Sequence, residues 1–151
     1  ELHLIGLQAS DRDLASKFKA QLGDRLQLFD RMSQDKLVQT LANADVLAIP
    51  RQSHPALRVA LPTQFAEYLA IGKPVIVSNV DETADLIHQY DCGLVAEPSI
   101  ESWSKTLDNA AQLSLREKTE MGSRGRDLAE SEFAWDRIGD KYAHWLNRWS
   151  A

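Results

Sequence analysis

Short apolar runs alternate with stretches of helical periodicity along the first two thirds of this chain, and that alternation limits the fold more than any other feature. Leu2-His3-Leu4-Ile5 reads as a strand that stops at Gly6. Ser10 stands as an N-cap, and Leu14, Phe18 and Leu22 then follow at the four-residue spacing of an amphipathic helix that ends at Gly23. Leu26–Phe29 is a second strand. Ser33 caps the next helix, whose inward residues are Leu37, Val38 and Leu41. Asp45–Ile49 is a third strand, halted by Pro50. A loop from Arg51 to Leu61 follows, and Pro62 and Thr63 open a helix with Phe65, Ala66, Leu69 and Ala70 on its buried side. Gly72 ends that helix and Pro74 bars its continuation. Val75-Ile76-Val77 is continuous and β-branched, as a strand covered on both faces requires. Asp81–Gln89 is a short helix and Gly93–Ala96 a last strand.

Strands separated by helices join most economically as a parallel sheet with right-handed crossovers. The expectation is an α/β, Rossmann-like domain with a parallel sheet of about five strands flanked by helices. From Ser99 to the end, residues 99–151 read as helix only, a C-terminal segment of the same domain. Trp103, Leu107, Ala110 and Ala111 form one stripe, and Leu115–Phe133 a polar second helix. Trp135, Ile138, Tyr142, Trp145 and Trp149 step by three or four along a third helix. Such a stripe is expected to clamp its helix to the body; the alternative is that part of it packs on a neighbouring domain.

Composition narrows the partners. The chain has 151 residues, 44% of them hydrophobic, and a formal net charge of −5. A core is therefore available, while a nucleic-acid backbone, which needs a basic face, is not an expected partner. An anionic ligand is still allowed, because backbone N–H groups and one or two cations suffice to hold a phosphate. Cys92 is the only cysteine, so no disulfide framework exists, and the thiol reads as a small core residue. No apolar stretch reaches the roughly 18 residues of a membrane span and no signal peptide opens the sequence. The expected compartment is the cytoplasm, with peripheral membrane association left to parts outside this chain. His3, His54, His88 and His144 have no metal-ligand spacing, so neither metal nor cofactor is expected.

In open parallel sheets ligands sit beyond the carboxyl ends of the strands. The longest strand-to-helix loop delivers the chain to Pro62-Thr63-Gln64, where free N–H groups and the positive end of the helix dipole suit a diphosphate. Glu67 lies about one turn further along, placed to accept two hydrogen bonds from a sugar diol. The competing reading is an ordinary surface glutamate. His54, in the same loop, and Ser78 with Asn79, after the central strand, are lesser candidates to line the cleft. Against them stand a plain loop histidine and a strand-end turn. Asp81 and Glu82 are expected to cap the next helix. Gly6-Leu7-Gln8 is not a full dinucleotide-binding loop, and it supplies no acidic cluster of the kind a phospho-acceptor domain needs.

The run from Pro62 to Ser78, Pro-Thr-Gln-Phe-Ala-Glu-Tyr-Leu-Ala-Ile-Gly-Lys-Pro-Val-Ile-Val-Ser, resembles the signature P-x-K-x-x-E-Y-[LM]-A-x-G-K-P-V-I-x-S of glycosyltransferase family 4 and its relatives. Asn43–Pro50, Asp91–Val95 with Glu97-Pro98, Met121-Gly122 with Arg124–Arg126, and Phe133–Asp136 are similar to further motifs of that family. The resemblance covers essentially the whole chain. It implies that residues 1–151 form the donor-binding half of a retaining enzyme of the two-domain GT-B fold, with a nucleotide diphosphate sugar as donor and no obligatory metal. It further implies that Glu67 holds the ribose hydroxyls and that backbone amides around Pro62 and Thr63 face the phosphates or the sugar. The acceptor would be held by an N-terminal domain absent from this sequence.

Three departures bear on activity. The family's first glutamate, eight positions before Glu67, is Val59 here, and its lysine is Gln64. Arg58 or Arg51 could compensate for the lost cation. The family's Arg/Lys pair, which neutralises the departing diphosphate, does not occur in this sequence. A degenerate binding or interaction module is therefore the alternative to an enzyme, a nucleotide-sugar epimerase is a more distant one, and an isolated fragment with unpaired sheet edges is open to self-association.

Overall fold

The computed structural model describes residues 1–55 and 61–149. They divide into two compact units, residues 1–40 and 41–151. The five expected strands are all present, in two parallel sheets of two and three strands.

The first unit is a βαβ unit. Strand β1 (Leu2–Ile5) pairs in parallel with β2 (Leu26–Phe29), Leu2 opposite Leu26 and Ile5 opposite Phe29. Gly6 adds one more rung, its N–H donating to the Phe29 carbonyl at 3.0 Å, and then turns the chain with a φ of 79°. A residue with a Cβ is disfavoured there. Helix α1 (Arg12–Leu22) crosses between the strands. Ser10 is not its cap: it lies inside a 3₁₀ turn, Ala9–Asp11, and Asp11 takes the N-cap position. Leu14 and Phe18 stand exposed, whereas Ala15 and Leu26 are buried. Two strands of four residues are too narrow to cover a full helical stripe, so α1 sets its small residue inward. Helix α2 (Gln34–Ala42) begins after Ser33, whose carbonyl accepts the Leu37 N–H at 2.9 Å. Leu37 and Leu41 turn inward as the periodicity predicts, but Val38 is exposed.

In the second unit β3 (Leu47–Ile49), β4 (Val75–Ser78) and β5 (Gly93–Ala96) pair in that order, all parallel. The central β4 is buried at every position. Its alternation divides the core in two. Val75 and Val77 join Ile49, Phe65, Leu69, Ile87 and Leu128 on one face. Ile76 meets Ala96 and Ala110 on the other, with Val46, Leu94 and Trp103 packed around them. The first face carries residues of α3 (Thr63–Ile71), α4 (Glu82–Tyr90) and α6 (Leu115–Leu128); the second carries α5 (Ile100–Gln112).

Glycines set how closely these layers approach. Gly72 ends α3 in the left-handed conformation, its N–H donating to the Leu69 carbonyl. Gly122 of α6 lies directly against that turn, where an added Cβ would stand 2.1 Å from the Gly72 carbonyl oxygen. A Cβ on Gly93 would fall 2.0 Å from the Val75 carbonyl oxygen. Arg124, one helical step beyond Gly122, donates from Nε to the Asp91 carbonyl and from a terminal nitrogen to the Asp91 carboxylate, both at 2.8 Å. That clamp holds Asp91 at φ 47°, the left-handed residue that ends α4.

The expected second C-terminal helix is broken in two: α6 runs to Leu128 and a π-helical turn, Ala129–Phe133, follows. The turn drives Phe133 edge-on against Phe65, centroids 6.2 Å apart. The expectation of a C-terminal helix clamped by tryptophans does not hold. Helix α7 (Trp135–Asn147) has no buried residue, and Trp135 and Trp149 are 84% and 76% exposed. The aromatic rings meet one another instead, Tyr142 tilted against Trp145 and Trp145 against Trp149 just beyond the helix.

The glycine contacts and the buried thiol each have a measurable consequence. Gly122→Ala is expected to cost about 3 kcal/mol in urea unfolding, because the new methyl meets backbone rather than a movable side chain. Gly139→Ala, at an exposed α7 position with nothing within 4 Å, is expected to stabilise that helix by up to about 1 kcal/mol. Burial pushes the Cys92 thiol up to about 11. It should therefore resist a disulfide reagent at pH 8 until the protein unfolds. Stability should then fall as pH rises from about 9 towards 11, since the unfolded thiol ionises first.

Candidate functional site

The carboxyl ends of β3, β4 and β5 lead into Arg51, Asn79 and Glu97. Three helices start just beyond the same edge of the sheet: α3 after Pro62, α4 after Asp81 and α5 after Ser99. Their N-termini bring the positive ends of three helix dipoles to that edge; Asp81 and Ser99 cap α4 and α5 through their side chains, and α3 has no side-chain cap.

Helix α3 carries the residues that the sequence singles out. Pro62 is its N-cap, with extended backbone (φ −67°, ψ 129°) and a carbonyl that accepts the Phe65 N–H at 2.9 Å. Proline supplies no side-chain cap, and the first turn holds no acidic residue. The dipole therefore meets neither compensating carboxylate nor hydroxyl from its own cap. Thr63, Gln64 and Glu67 are all exposed, and spacings of three and four residues put them on one face. Gln64 reaches along that face to donate from Nε2 to the Tyr68 hydroxyl at 2.9 Å. Burial raises the Tyr68 pKa; the Gln64 bond opposes the rise and nearby Glu67 adds to it. Glu67 makes no hydrogen bond or ion pair among the described residues. His54 is exposed in the loop after β3. Arg58 and Val59 lie outside the described residues.

Ser78 is not an open cleft residue. It is 1% exposed, and its Oγ accepts two hydrogen bonds, from the Arg51 N–H at 2.9 Å and from Trp103 Nε1–H at 3.2 Å. One hydroxyl thus ties the loop after β3 to α5 across the end of β4. The Arg51 guanidinium pairs with Asp81, whose side chain is 1% exposed. Asp81 also caps α4, as expected, accepting from the Thr83 N–H at 2.9 Å and from the Thr83 hydroxyl. Asn79 donates from Nδ2 to Glu97 at 2.8 Å, joining the ends of β4 and β5. Arg51 is therefore held by a carboxylate, which limits it as a substitute for the missing lysine.

Beside this network opens a cleft of about 430 Å³. Trp103, Ile100, Leu107 and Pro98 form its apolar wall, and Arg51, Gln52, Ser99 and Ser104 its polar one. The periodicity assigned Trp103 and Leu107 to a core stripe. Half of that assignment is right, since Trp103 packs on the second core face. The rest escapes a sequence reading because it depends on Ser78, 25 residues away in the chain. Among the described residues no group of three or more His, Cys, Asp or Glu could hold a metal ion, and no helix is long and apolar enough to cross a membrane.

Removing the shared acceptor should be felt. Ser78→Ala leaves two donors unpaired and is expected to cost about 1–3 kcal/mol in chemical unfolding. It should also shift the Trp103 indole N–H resonance while leaving those of Trp135, Trp145 and Trp149 in place.

A family model described as glycosyl transferases group 1 matches residues 1–127. No curated protein sequence matches the chain. Among solved structures, sucrose-phosphate synthase from Thermosynechococcus elongatus superposes with a TM-score of 0.80 at 19% identity, over 97% of this chain and 38% of that one. A glycosyltransferase from Rickettsia africae gives 0.76 at 16% identity, over 94% and 38%. The Anabaena protein HepE, in complex with UDP-glucose, gives 0.75 at 16%, over 97% and 40%. The chain thus spans about two fifths of each. The shared feature is the fold, the Rossmann-like α/β arrangement of GT-B glycosyltransferase domains.

Proposed function

The chain belongs to the glycosyl transferases group 1 family, and from that premise we propose that it binds a nucleotide diphosphate sugar as the donor half of a retaining glycosyltransferase resembling family 4. The observation that carries this reading is the start of α3: a helix N-terminus without an acidic or side-chain cap, with the unpaired Glu67 carboxylate on its exposed face. The diphosphate is held by the amides of Thr63 and Gln64, next to Pro62, and Glu67 accepts from the ribose hydroxyls. HepE, of like fold, is seen with UDP-glucose, which supports this class of ligand. Arg58, in the loop leading to Pro62, is the candidate cation. His54 and Val59, in the same loop, border the transferred sugar.

The acceptor is held by a second, N-terminal domain, and the reaction runs in the cytoplasm in the cleft between the halves. Residues 1–151 act as one donor-binding domain whose segment 99–151 is helical. The exposed stripe of α7 then has an occupant, the acceptor domain. No cofactor is needed. The donor phosphate takes the acceptor's proton, and the sugar is attacked on the face its leaving group departs from. Cations from outside this sequence neutralise the departing diphosphate, so the isolated chain binds without turning over. The second reading, a non-catalytic binding or interaction module, is favoured by one observation: Gln64 is neutral and bonded to Tyr68 instead of offering a charge.

Titration with UDP-, GDP- and ADP-sugars by ligand-detected NMR tests the proposal. One nucleotide should bind selectively, and Glu67→Ala should weaken it at least tenfold, about 1.4 kcal/mol. No binding either by this chain or by the full-length protein would sink the glycosyltransferase reading. Binding without turnover in the full-length protein would favour the module.

A further inference from the structure

The cleft beside Ser78 lies at the same edge of the three-stranded sheet as α3, yet nothing in the donor-site reading uses it. We propose that it is a second, separate binding site for a neutral sugar ring, stacked on the indole of Trp103.

Its shape and chemistry select that ligand. At about 430 Å³ it lies toward the small end of clefts that hold small ligands, roughly 300–1,000 Å³. Trp103 is fixed in orientation, because its Nε1–H is bonded to the buried Ser78 hydroxyl. The indole therefore offers its ring and not its donor, and Ile100 and Leu107 add to the apolar lining. Gln52 and Ser104 bring an amide and a hydroxyl to the same cleft, and Ser99, whose hydroxyl accepts the Ser102 N–H, lies beside them. A pyranose has this same division, with C–H groups on its faces and hydroxyls around its rim. An anionic ligand is disfavoured, since the one cation in the wall among the described residues, Arg51, is neutralised by Asp81. An alkyl chain is disfavoured because the Gln52 amide and the Ser104 hydroxyl in the wall would be left without partners.

The position gives the site a use. Arg51 belongs both to the cleft and to the loop whose far end is the N-terminus of α3. A sugar in the cleft is therefore separated from the donor position by one loop of the same sheet edge. Assigning that sugar to the acceptor, or to a saccharide the acceptor carries, rests on the glycosyltransferase reading; the binding itself does not.

The test follows the indole N–H resonances of the ¹⁵N-labelled chain during titration with methyl glycosides of glucose, galactose, mannose and N-acetylglucosamine. Trp103→Phe assigns the Trp103 signal. The expected result is a saturable shift of that signal and of the Ile100 and Leu107 methyls by at least one glycoside, with a midpoint in the millimolar range. The signals of Trp135, Trp145 and Trp149 should not move. Leu107→Lys, at an exposed position that leaves the Ser78–Trp103 bond intact, should raise the midpoint at least fivefold.

No saturable shift, equal shifts at all four indoles, or a midpoint unchanged in Leu107→Lys would each overturn the proposal. So would a response to uridine or adenosine alone, which would make the cleft a nucleobase site. The Thr63 and Gln64 amides, followed in the same spectra with nucleotide sugars, report on the donor reading separately. A response at Trp103 with silence at those amides would uphold the cleft and count against the donor site; the reverse would overturn the cleft alone.

Discussion

The approach of α6 to the turn after α3 depends on one hydrogen atom. Gly122 rests against the Gly72 carbonyl where any side chain would collide, and that contact fixes the spacing of the first face of the second unit. Gly125, one turn on, has room only for a light touch on Leu69 and Cys92. Between them Arg124 fastens the end of α4. One short segment of α6 thus anchors the carboxyl ends of α3 and α4. Their amino ends, where ligand chemistry is expected, are left to be shaped by loops. Rigid support at one end of a helix and an open N-terminus at the other is the arrangement that a preorganised anion site needs.

At the opposite edge the organising group is polar. Ser78 is buried at the end of a strand that is otherwise entirely aliphatic, and its hydroxyl gathers a loop amide and an indole. Asp81 does the same for Arg51 and Thr83. Among the described residues no buried side-chain nitrogen or oxygen lacks a partner. In a low-dielectric setting a satisfied network of this kind specifies one arrangement, because each alternative strands a donor. The polar groups at the sheet edge serve first to fix loop geometry, and only the outer ones, on α3 and in the cleft, are open to a ligand.

The fold was readable because its signals are local. β-branched runs, glycine and proline stops, and the four-residue rhythm of Phe65 and Leu69 each act within a few residues. The cap at Asp81 was legible for the same reason. Ser10 misled because a second acceptable cap, Asp11, follows it directly. Leu14, Phe18 and the tryptophans of α7 misled for a different cause. Periodicity shows that a face is apolar but not whether this chain contains the surface that covers it. The candidate site divides along the same line. Glu67 and Pro62 stand in one contiguous run and can be read, whereas the cleft joins residues from the loop after β3 and from α5, which meet only because β3 and β5 flank β4.

The complete burial of β4 has a consequence for how the second unit opens. Both neighbours of this strand are hydrogen-bonded to it and both of its faces are covered, so no local fluctuation can free its amides one at a time. Their exchange with solvent deuterium can proceed only through unfolding of the unit as a whole. α7, with no buried side chain, exchanges through fraying. The slowest protons in this part of the molecule are therefore those of Ile76, Val77 and Ser78, and they measure its cooperative stability directly. The ligand-facing loops lie within a residue or two of them in the chain, and their protection reports only local motion.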